Sequence, residues 1–187
     1  MKKEQISISP YLIREATSAD AEGIAFVHVN SWKTSYAGLV DQDYLDALSY
    51  ENRLDLRKEI LQLKTMLHLV VVSGEQIVGF ADVGPIRSES RVGLYTNDEN
   101  IGEVYAIYLL EEHKGKGCGK ALLDRCRQWL SDNGLESFVV RALTGNVRAR
   151  RFYEREGGKT IGETTINIGD RYYQEVSYLF TTLLREV

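Results

Sequence analysis

The stretch at residues 103–126 constrains the fold of this 187-residue chain more than any other. It begins with a run of β-branched, aromatic and aliphatic residues over 104–110, which is typical of a strand buried on both faces. Three glycines then alternate with other residues in 115–119, and a segment with helical periodicity follows. The stretch therefore predicts a strand, a glycine-rich loop and a helix that spans 117–132.

The loop at 114–120 has the chemistry of an anion site. Glycines leave backbone N–H groups accessible because no Cβ stands in front of them, and a helix N-terminus carries partial positive charge. Three lysines lie in the same loop. Two nucleotide motifs are excluded, because Lys120 stands where a dinucleotide fingerprint has its third glycine and no Ser or Thr follows a Gly-Lys pair in the loop. We therefore predict a pyrophosphate site.

Composition and charge limit the class of protein. With 43% hydrophobic and 27% charged residues, we expect one soluble domain over 1–187 with a loose N-terminal end at 1–9. A net charge of −4, from 27 acidic and 23 basic residues, argues against a nucleic-acid partner. The polar residues near the N-terminus and the short apolar runs argue against a signal peptide and a membrane partner. We expect a cytoplasmic protein.

The two cysteines and three histidines do not suggest a metal site. Cys118 and Cys126 fall on one predicted helix, about 12 Å apart along its axis, which is too far for a disulfide. We expect free thiols in a reducing compartment. Because the histidines are scattered, we predict that no metal is bound.

A second informative stretch runs from Asn146 to Gly157 and predicts a short helix over 146–156. Seven positions, close to two helical turns, separate Asn146 from Tyr153, so both side chains project from one face about 10 Å apart. Phe152 and Ala149 are then the predicted core contacts. Three arginines in this stretch, at 148, 150 and 151, bring positive charge near the loop.

Hydrophobic periodicity predicts the other elements. In chain order they are a strand at 11–16, a helix opened by a capping box at 17–20 and ended by Gly38, a helical region at 44–63 that breaks near Ser49, a hairpin of 67–72 and 77–83, a polar connection at 84–100, strands at 101–110 and 137–142, and a hairpin of 160–168 and 172–183. A helix separates the strands at 101–110 and 137–142, so we expect these two to be parallel neighbours.

Both motifs resemble those of the GNAT superfamily of acyl-CoA-dependent N-acetyltransferases, and the resemblance covers about 11–183. Lys114-Gly-Lys-Gly-Cys-Gly119 is similar to the family's Gln/Arg-x-x-Gly-x-Gly/Ala loop, with lysine at the first position. Asn146 and Tyr153 match its Asn-(x)6-Tyr helix, although Gly158 replaces the phenylalanine that follows. The resemblance implies an α/β fold with a mixed, mostly antiparallel central sheet, one splayed parallel strand pair and flanking helices.

The resemblance also implies acetyl-CoA as co-substrate and assigns residues to it. The pyrophosphate would be bound by the loop residues Lys114, Gly115, Lys116, Gly117, Cys118, Gly119 and Lys120. The strand backbone at Ile107, Tyr108 and Leu109, opened by a bulge, would admit the pantetheine arm and stabilise the oxyanion. Asn146 would hydrogen-bond pantetheine, and Tyr153 would protonate the departing thiolate, a step that is not prohibitive because a phenol is only slightly less acidic than a thiol.

The acceptor side is less defined by the resemblance. Some members of the family place a glutamate where Glu103 lies and use it as a base, directly or through water; others use different groups or ordered water alone. Trp32 and Tyr36 are the candidate lining of the acceptor pocket, where their rings would hold a cation beside Asp41, Asp43 or Asp82. The alternative for these residues is ordinary packing or solvation.

The implied reaction is direct transfer of an acetyl group to a primary amine, with a small cationic metabolite, polyamine-like or aminoglycoside-like, as the expected acceptor. Two alternatives stay open: acetylation of a protein N-terminus or lysine, and a non-catalytic acyl-CoA sensor. A homodimer stays open as well.

Overall fold

The computed structural model of the chain describes residues 5–91 and 100–182, and its centre is a mixed sheet of eight strands. The strands are β1 Ile6–Ile8, β2 Tyr11–Glu15, β3 Leu67–Ser73, β4 Gln76–Pro85, β5 Ile101–Leu109, β6 Ser137–Leu143, β7 Lys159–Ile168 and β8 Arg171–Thr181. Their order across the sheet is β1-β2-β3-β4-β5-β6-β8-β7. Only β5 and β6 pair in parallel; the other described neighbours are antiparallel.

Helices cover both faces of the sheet. They are α1 Ala21–Ser35, α2 Gln42–Asp46, α3 Tyr50–Ile60, α4 Cys118–Asp132 and α5 Val147–Arg155. Successive residues of a strand point to opposite faces, so Leu69 and Val71 of β3 pack in the cluster under α4, whereas Val70 packs against Ile24 and Val27 of α1. Within 5–91 and 100–182, no helix has the length and apolar character that a membrane crossing needs.

The amphipathic pattern of α4 is what fixes it to the sheet. Its apolar residues are fully buried at helical spacing: Leu122, Leu123, Cys126 and Leu130. Burying each leucine stabilises the fold by roughly 1.5–3 kcal/mol. The N-terminus of α4, and with it the glycine-rich loop, is therefore held at the end of β5.

The structure confirms the predicted fold class and the parallel neighbours. The capping box forms, with the Thr17 hydroxyl and N–H donating to Asp20, and Ser49 caps α3 at the predicted break in the second helical region. The prediction for the N-terminal end was wrong: residues 6–8 are not loose but form β1, which pairs with β2 at the sheet edge. Of the residues predicted to lie in loose ends or the polar connection, 1–4 and 92–99 fall outside the described part.

The parallel pairing of β5 and β6 stops early, and this creates the site. Ile101–Val104 pair with Ser137–Val140, but both strands continue beyond these residues without pairing to each other. The β4–β5 register shifts so that Tyr105 has no partner opposite it. This bulge lies two residues before the segment 107–109 for which the family resemblance implied it. A wedge therefore opens between the ends of β5 and β6.

Candidate active site

A cleft of about 570 Å³ occupies the wedge between β5 and β6. It brings most of the predicted site residues together: Tyr36, Ile107, Tyr108, Leu109, Lys114, Gly115, Gly117, Gly119, Lys120, Asn146 and Tyr153. Lys116, Cys118, Glu103 and Trp32 are not among the residues that line it. The Cys118 side chain is buried in the core, so only its backbone is available to the loop.

The glycine-rich loop has the backbone conformation that its glycines allow. Gly115 and Gly117 have φ angles of 75° and 86°, in the left-handed region that L side chains rarely adopt. A Cβ built on either glycine would meet no atom within 4 Å, so the space in front of the loop is free of protein. The first hydrogen bond of α4 joins the Ala121 N–H to the Gly117 carbonyl, which leaves the N–H groups of the first turn without helical partners. These features fit a bound diphosphate.

Lys114 is held at the mouth of this loop. Its Nζ lies 2.7 Å from a Glu111 carboxylate oxygen and 2.9 Å from the Ser35 hydroxyl. Arg148 of α5 binds the other oxygen of Glu111. The hydrogen bond from Lys114 lowers the pKa of Glu111, which is therefore ionised at neutral pH. Glu111 is thus a negative charge placed among the cations of the cleft.

Asn146 caps α5 instead of lying inside the helix, which begins at Val147 and not at the predicted 146. Its Oδ1 accepts a hydrogen bond from the Ala149 N–H at 3.1 Å. The cap leaves the side-chain NH₂ group available to a ligand in the cleft.

Tyr153 lies in the second turn of α5, where its ring is packed and the residue lines the cleft. Its side chain is 7% exposed and contacts the rings of Phe152, Tyr178 and Phe180 at centroid distances of 5.3, 5.8 and 6.3 Å. The hydroxyl makes no hydrogen bond to any described residue. Burial raises the pKa of Tyr153, so the phenol stays protonated and can act as a proton donor.

The departure at Gly158 has a steric explanation. A Cβ at this position would lie 2.6 Å from Cζ of Phe180 on β8. The Phe180 ring fills the space and stacks on Phe138 at 4.8 Å. The missing side chain is therefore replaced by one from another strand, and the motif remains packed.

Glu103 is buried in a chain of charged residues. One oxygen accepts from the Arg87 N–H and Nε, both at 3.1 Å, and the other accepts from Arg87 Nη2 and lies 3.7 Å from Arg141 Nη2. Arg141 lines the cleft and also donates to Glu175 at 3.1 Å. Burial raises the pKa of Glu175. Arg87, Arg141 and Glu175 were not predicted from the sequence, although Arg141 is a lone charge in the largely apolar strand β6.

Aromatic residues lie where the acceptor pocket was predicted. The Tyr36 and Tyr108 hydroxyls lie 3.3 Å apart, and burial raises the pKa of both phenols. Trp32 packs behind Tyr36 at 4.9 Å, and its ring is already covered by the Arg53 guanidinium at 5.5 Å. His28 stacks on Tyr108 at 5.5 Å, and burial lowers its pKa to about 3, so it is neutral.

The acidic residues expected beside these rings do not line the cleft. Asp82 is buried between Arg57 at 2.6 Å and His68 at 2.7 Å. Asp41 binds Arg171, and its side chain accepts the Asp43 N–H. Among the described cleft residues, Glu111 supplies the carboxylate. The described residues contain no group of three or more potential metal ligands.

Comparisons with known proteins agree with this geometry. The model of the acetyltransferase (GNAT) family matches residues 29–158. The chain is 34% identical over 166 residues to an uncharacterized N-acetyltransferase, YuaI, of Bacillus subtilis, covering 88% of this chain and 89% of the relative. It is 24% identical over 152 residues to a spermidine N(1)-acetyltransferase of Thermoplasma acidophilum, covering 79% and 87%.

The fold also matches a solved structure. The crystal structure of PaiA N-acetyltransferase from Thermoplasma acidophilum in complex with coenzyme A superposes with a TM-score of 0.66 at 22% identity. The match covers 88% of this chain and 97% of that chain. At 22% identity, the likeness shows a shared fold and nothing further.

Proposed function

This chain belongs to the acetyltransferase (GNAT) family, and we propose that it moves an acetyl group from acetyl-CoA to the primary amine of a small cationic metabolite. One observation carries the proposal. A single cleft joins a loop whose glycines adopt left-handed φ angles to the wedge lined by Tyr153, whose hydroxyl makes no hydrogen bond to the described residues. The first part suits a diphosphate, and the second supplies a proton donor.

Different residues of the cleft would hold different parts of acetyl-CoA. The N–H groups of the loop at 114–120 and the Lys114 ammonium would bind the diphosphate. The Asn146 amide and the open backbone of Ile107–Leu109 would hold the pantetheine arm and face the thioester oxygen. Lys116 and Cys118 would contribute backbone groups, since their side chains do not line the cleft.

The proposed chemistry is a direct transfer. The neutral amine nitrogen attacks the thioester carbonyl carbon, so a C–N bond forms and the C–S bond breaks. The amine proton passes to a base, and the departing thiolate takes the proton of Tyr153. The products are the acetamide and free CoA, and the phenolate is reprotonated from solvent. Positioned acid–base groups typically contribute roughly 10²–10⁴-fold to such a reaction.

Glu103 is the proposed base, acting through a water molecule. The Arg87 hydrogen bonds and the position outside the cleft lining argue against direct contact with the amine. We expect Glu103→Gln to lower kcat/KM about tenfold to a hundredfold, as the loss of a positioned base would. Glu175→Gln is the matched control, because it removes a carboxylate from the same charged chain.

The loss of either carboxylate also removes a partner of Arg87 or Arg141, so both variants should be assayed well below their melting temperatures. An unchanged kcat/KM in Glu103→Gln would remove Glu103 from the mechanism. A loss of kcat/KM in Glu175→Gln but not in Glu103→Gln would assign the role of base to Glu175.

The acceptor class is proposed from the aromatic end of the cleft. Tyr36, Tyr105 and Tyr108 line it, and phenol rings attract ammonium groups through their faces. The activity of the spermidine-acetylating relative is consistent with such an acceptor.

The test is thiol release from acetyl-CoA with a panel of polyamines, aminoglycosides and peptides that carry a free N-terminus or a lysine. Turnover of a polyamine or aminoglycoside well above the peptides is expected. Comparable turnover of a peptide would redirect the proposal to a protein acceptor. CoA binding by thermal shift without release above hydrolysis would favour a sensor and contradict catalysis.

Removal of the charge of Glu111 should strengthen donor binding. Its carboxylate lies between Lys114 and Arg148 and would repel an approaching diphosphate. We expect Glu111→Gln to lower the Kd for CoA about threefold to tenfold at low salt, with a smaller change at high salt because exposed charges are screened. The measurement is isothermal titration, with Glu112→Gln as control because Glu112 does not line the cleft. Weaker binding in Glu111→Gln would mean that Glu111 is needed to position the two cations.

A further inference from the structure

The cleft carries more positive charge than a diphosphate requires. Among its described lining residues, one carboxylate, Glu111, faces five cationic side chains: Lys114, Lys120, Arg141, Arg148 and Arg155. CoA carries a phosphate monoester on its ribose in addition to the diphosphate, and a monoester bears roughly −1.5 to −2 charges at neutral pH. A second phosphate-binding group is therefore to be expected among these cations.

Three of the five cations are already engaged by carboxylates in or beside the cleft. Arg141 lies in the buried chain between Glu103 and Glu175. Lys114 and Arg148 share Glu111 at the mouth of the glycine-rich loop. These two belong beside the diphosphate, and Lys120 and Arg155 remain.

Phe152 lies between the first turn of α4 and the Arg155 side chain. A Cβ on Gly119, the residue before Lys120, would lie 3.6 Å from Cζ of Phe152, so the first turn of α4 touches this ring. The Arg155 guanidinium lies 5.6 Å from the centroid of the same ring. Lys120 follows Gly119 on α4, and both Lys120 and Arg155 line the cleft, so the two cations reach it from different helices.

The charged ends of both residues are accessible and weakly engaged. The side chains of Lys120 and Arg155 are 57% and 70% exposed and pair with Asp124 and Glu156. The partner carboxylates of Asp124 and Glu156 are 34% and 13% exposed, but both cations face solvent. Pairs with a solvent-exposed cation typically stabilise a protein little, so a phosphate can compete for Lys120 and Arg155. The Arg155 guanidinium can bind two phosphate oxygens at once. The carboxylate of Glu156, from its neighbouring position, does not offer Arg155 such a two-point contact.

We propose that Arg155 and Lys120 bind the ribose 3′-phosphate of CoA and make the protein distinguish CoA from 3′-dephospho-CoA. This inference rests on the proposed function, because it concerns the donor of that reaction. It adds a recognition site for a phosphate monoester that neither the backbone N–H groups of the glycine-rich loop nor Asn146 provides.

The test compares the Kd values of CoA and 3′-dephospho-CoA for the wild-type protein and four variants. We expect the wild-type protein to bind CoA about tenfold more tightly, as one charge-assisted phosphate contact would give. Arg155→Ala should weaken CoA binding about fivefold or more and leave dephospho-CoA binding within twofold. Lys120→Ala should have a smaller effect of the same kind, and the double variant should bind both ligands equally.

Arg151→Ala is the matched control, because Arg151 lies on the same helix, is exposed and does not line the cleft. It should bind both ligands as the wild-type protein does. Equal binding of the two ligands by the wild-type protein would overturn the inference, as would equal weakening of both by Arg155→Ala. Failure to bind either ligand would instead contradict the proposed function.

Discussion

Replacement of Tyr153 by phenylalanine should lower kcat about a hundredfold or more while the Kd for CoA stays within twofold. The substitution removes the hydroxyl alone, and the ring contacts with Tyr178 and Phe180 remain. The hydroxyl has no partner among the described residues and, because burial raises the pKa of Tyr153, it stays protonated across the pH range of activity. Loss of a positioned general acid typically costs roughly 10²–10⁴-fold in rate.

The measurement is kcat from thiol release together with the Kd for CoA from isothermal titration. Tyr172→Phe is the control, because this phenol is 77% exposed on β8 and does not line the cleft. An unchanged melting temperature would show that Tyr153→Phe leaves the packing of α5 intact. If kcat is retained, the thiolate leaves without help from Tyr153, and the proposed acid is wrong.

The sequence predicts the order of elements well because the signals are local. Periodicity, caps and glycines lie within a few residues of the element that they define, as at Ser49 before α3 and in the loop before α4. The strand β1 has no such local signal. Three residues show no useful periodicity, and they become a strand because the edge of β2 offers backbone partners.

The bulge at Tyr105 is also invisible in the sequence. The run at 104–110 is uniformly apolar or aromatic, so nothing in it distinguishes the residue without a partner. The position of the bulge depends on the register that β4 and β5 adopt together. Long-range pairing therefore decides where the wedge between β5 and β6 opens.

The same distinction separates what could be predicted of the site from what could not. The loop glycines and the spacing of Asn146 and Tyr153 are local patterns, and the structure brings them to one cleft. The partners of Glu103 are not local, since Arg87 and Arg141 come from other segments of the chain. The replacement of the motif phenylalanine by Phe180 is a compensation in space that no spacing rule contains.

Replacement of Gly117 by valine should weaken CoA binding at least about a hundredfold. Gly117 has a φ angle of 86°, and the space before its Cα is free of protein. A branched side chain would fill the position where the diphosphate must meet the first N–H groups of α4 and would strain the backbone by roughly 1–2 kcal/mol. A hundredfold loss corresponds to about 2.7 kcal/mol of binding free energy.

Two variants separate steric exclusion of the diphosphate from backbone strain. Gly134→Val places valine at a φ angle of 76° at the other end of α4, again with no atom within 4 Å of its Cβ. We expect this variant to lose similar stability but to keep CoA affinity, because Gly134 does not line the cleft. Gly119→Ala should also bind CoA, since its Cβ would make ordinary contacts of 3.6–3.7 Å with Phe152 and Leu109. Undiminished affinity in a folded Gly117→Val protein would mean that the diphosphate binds elsewhere.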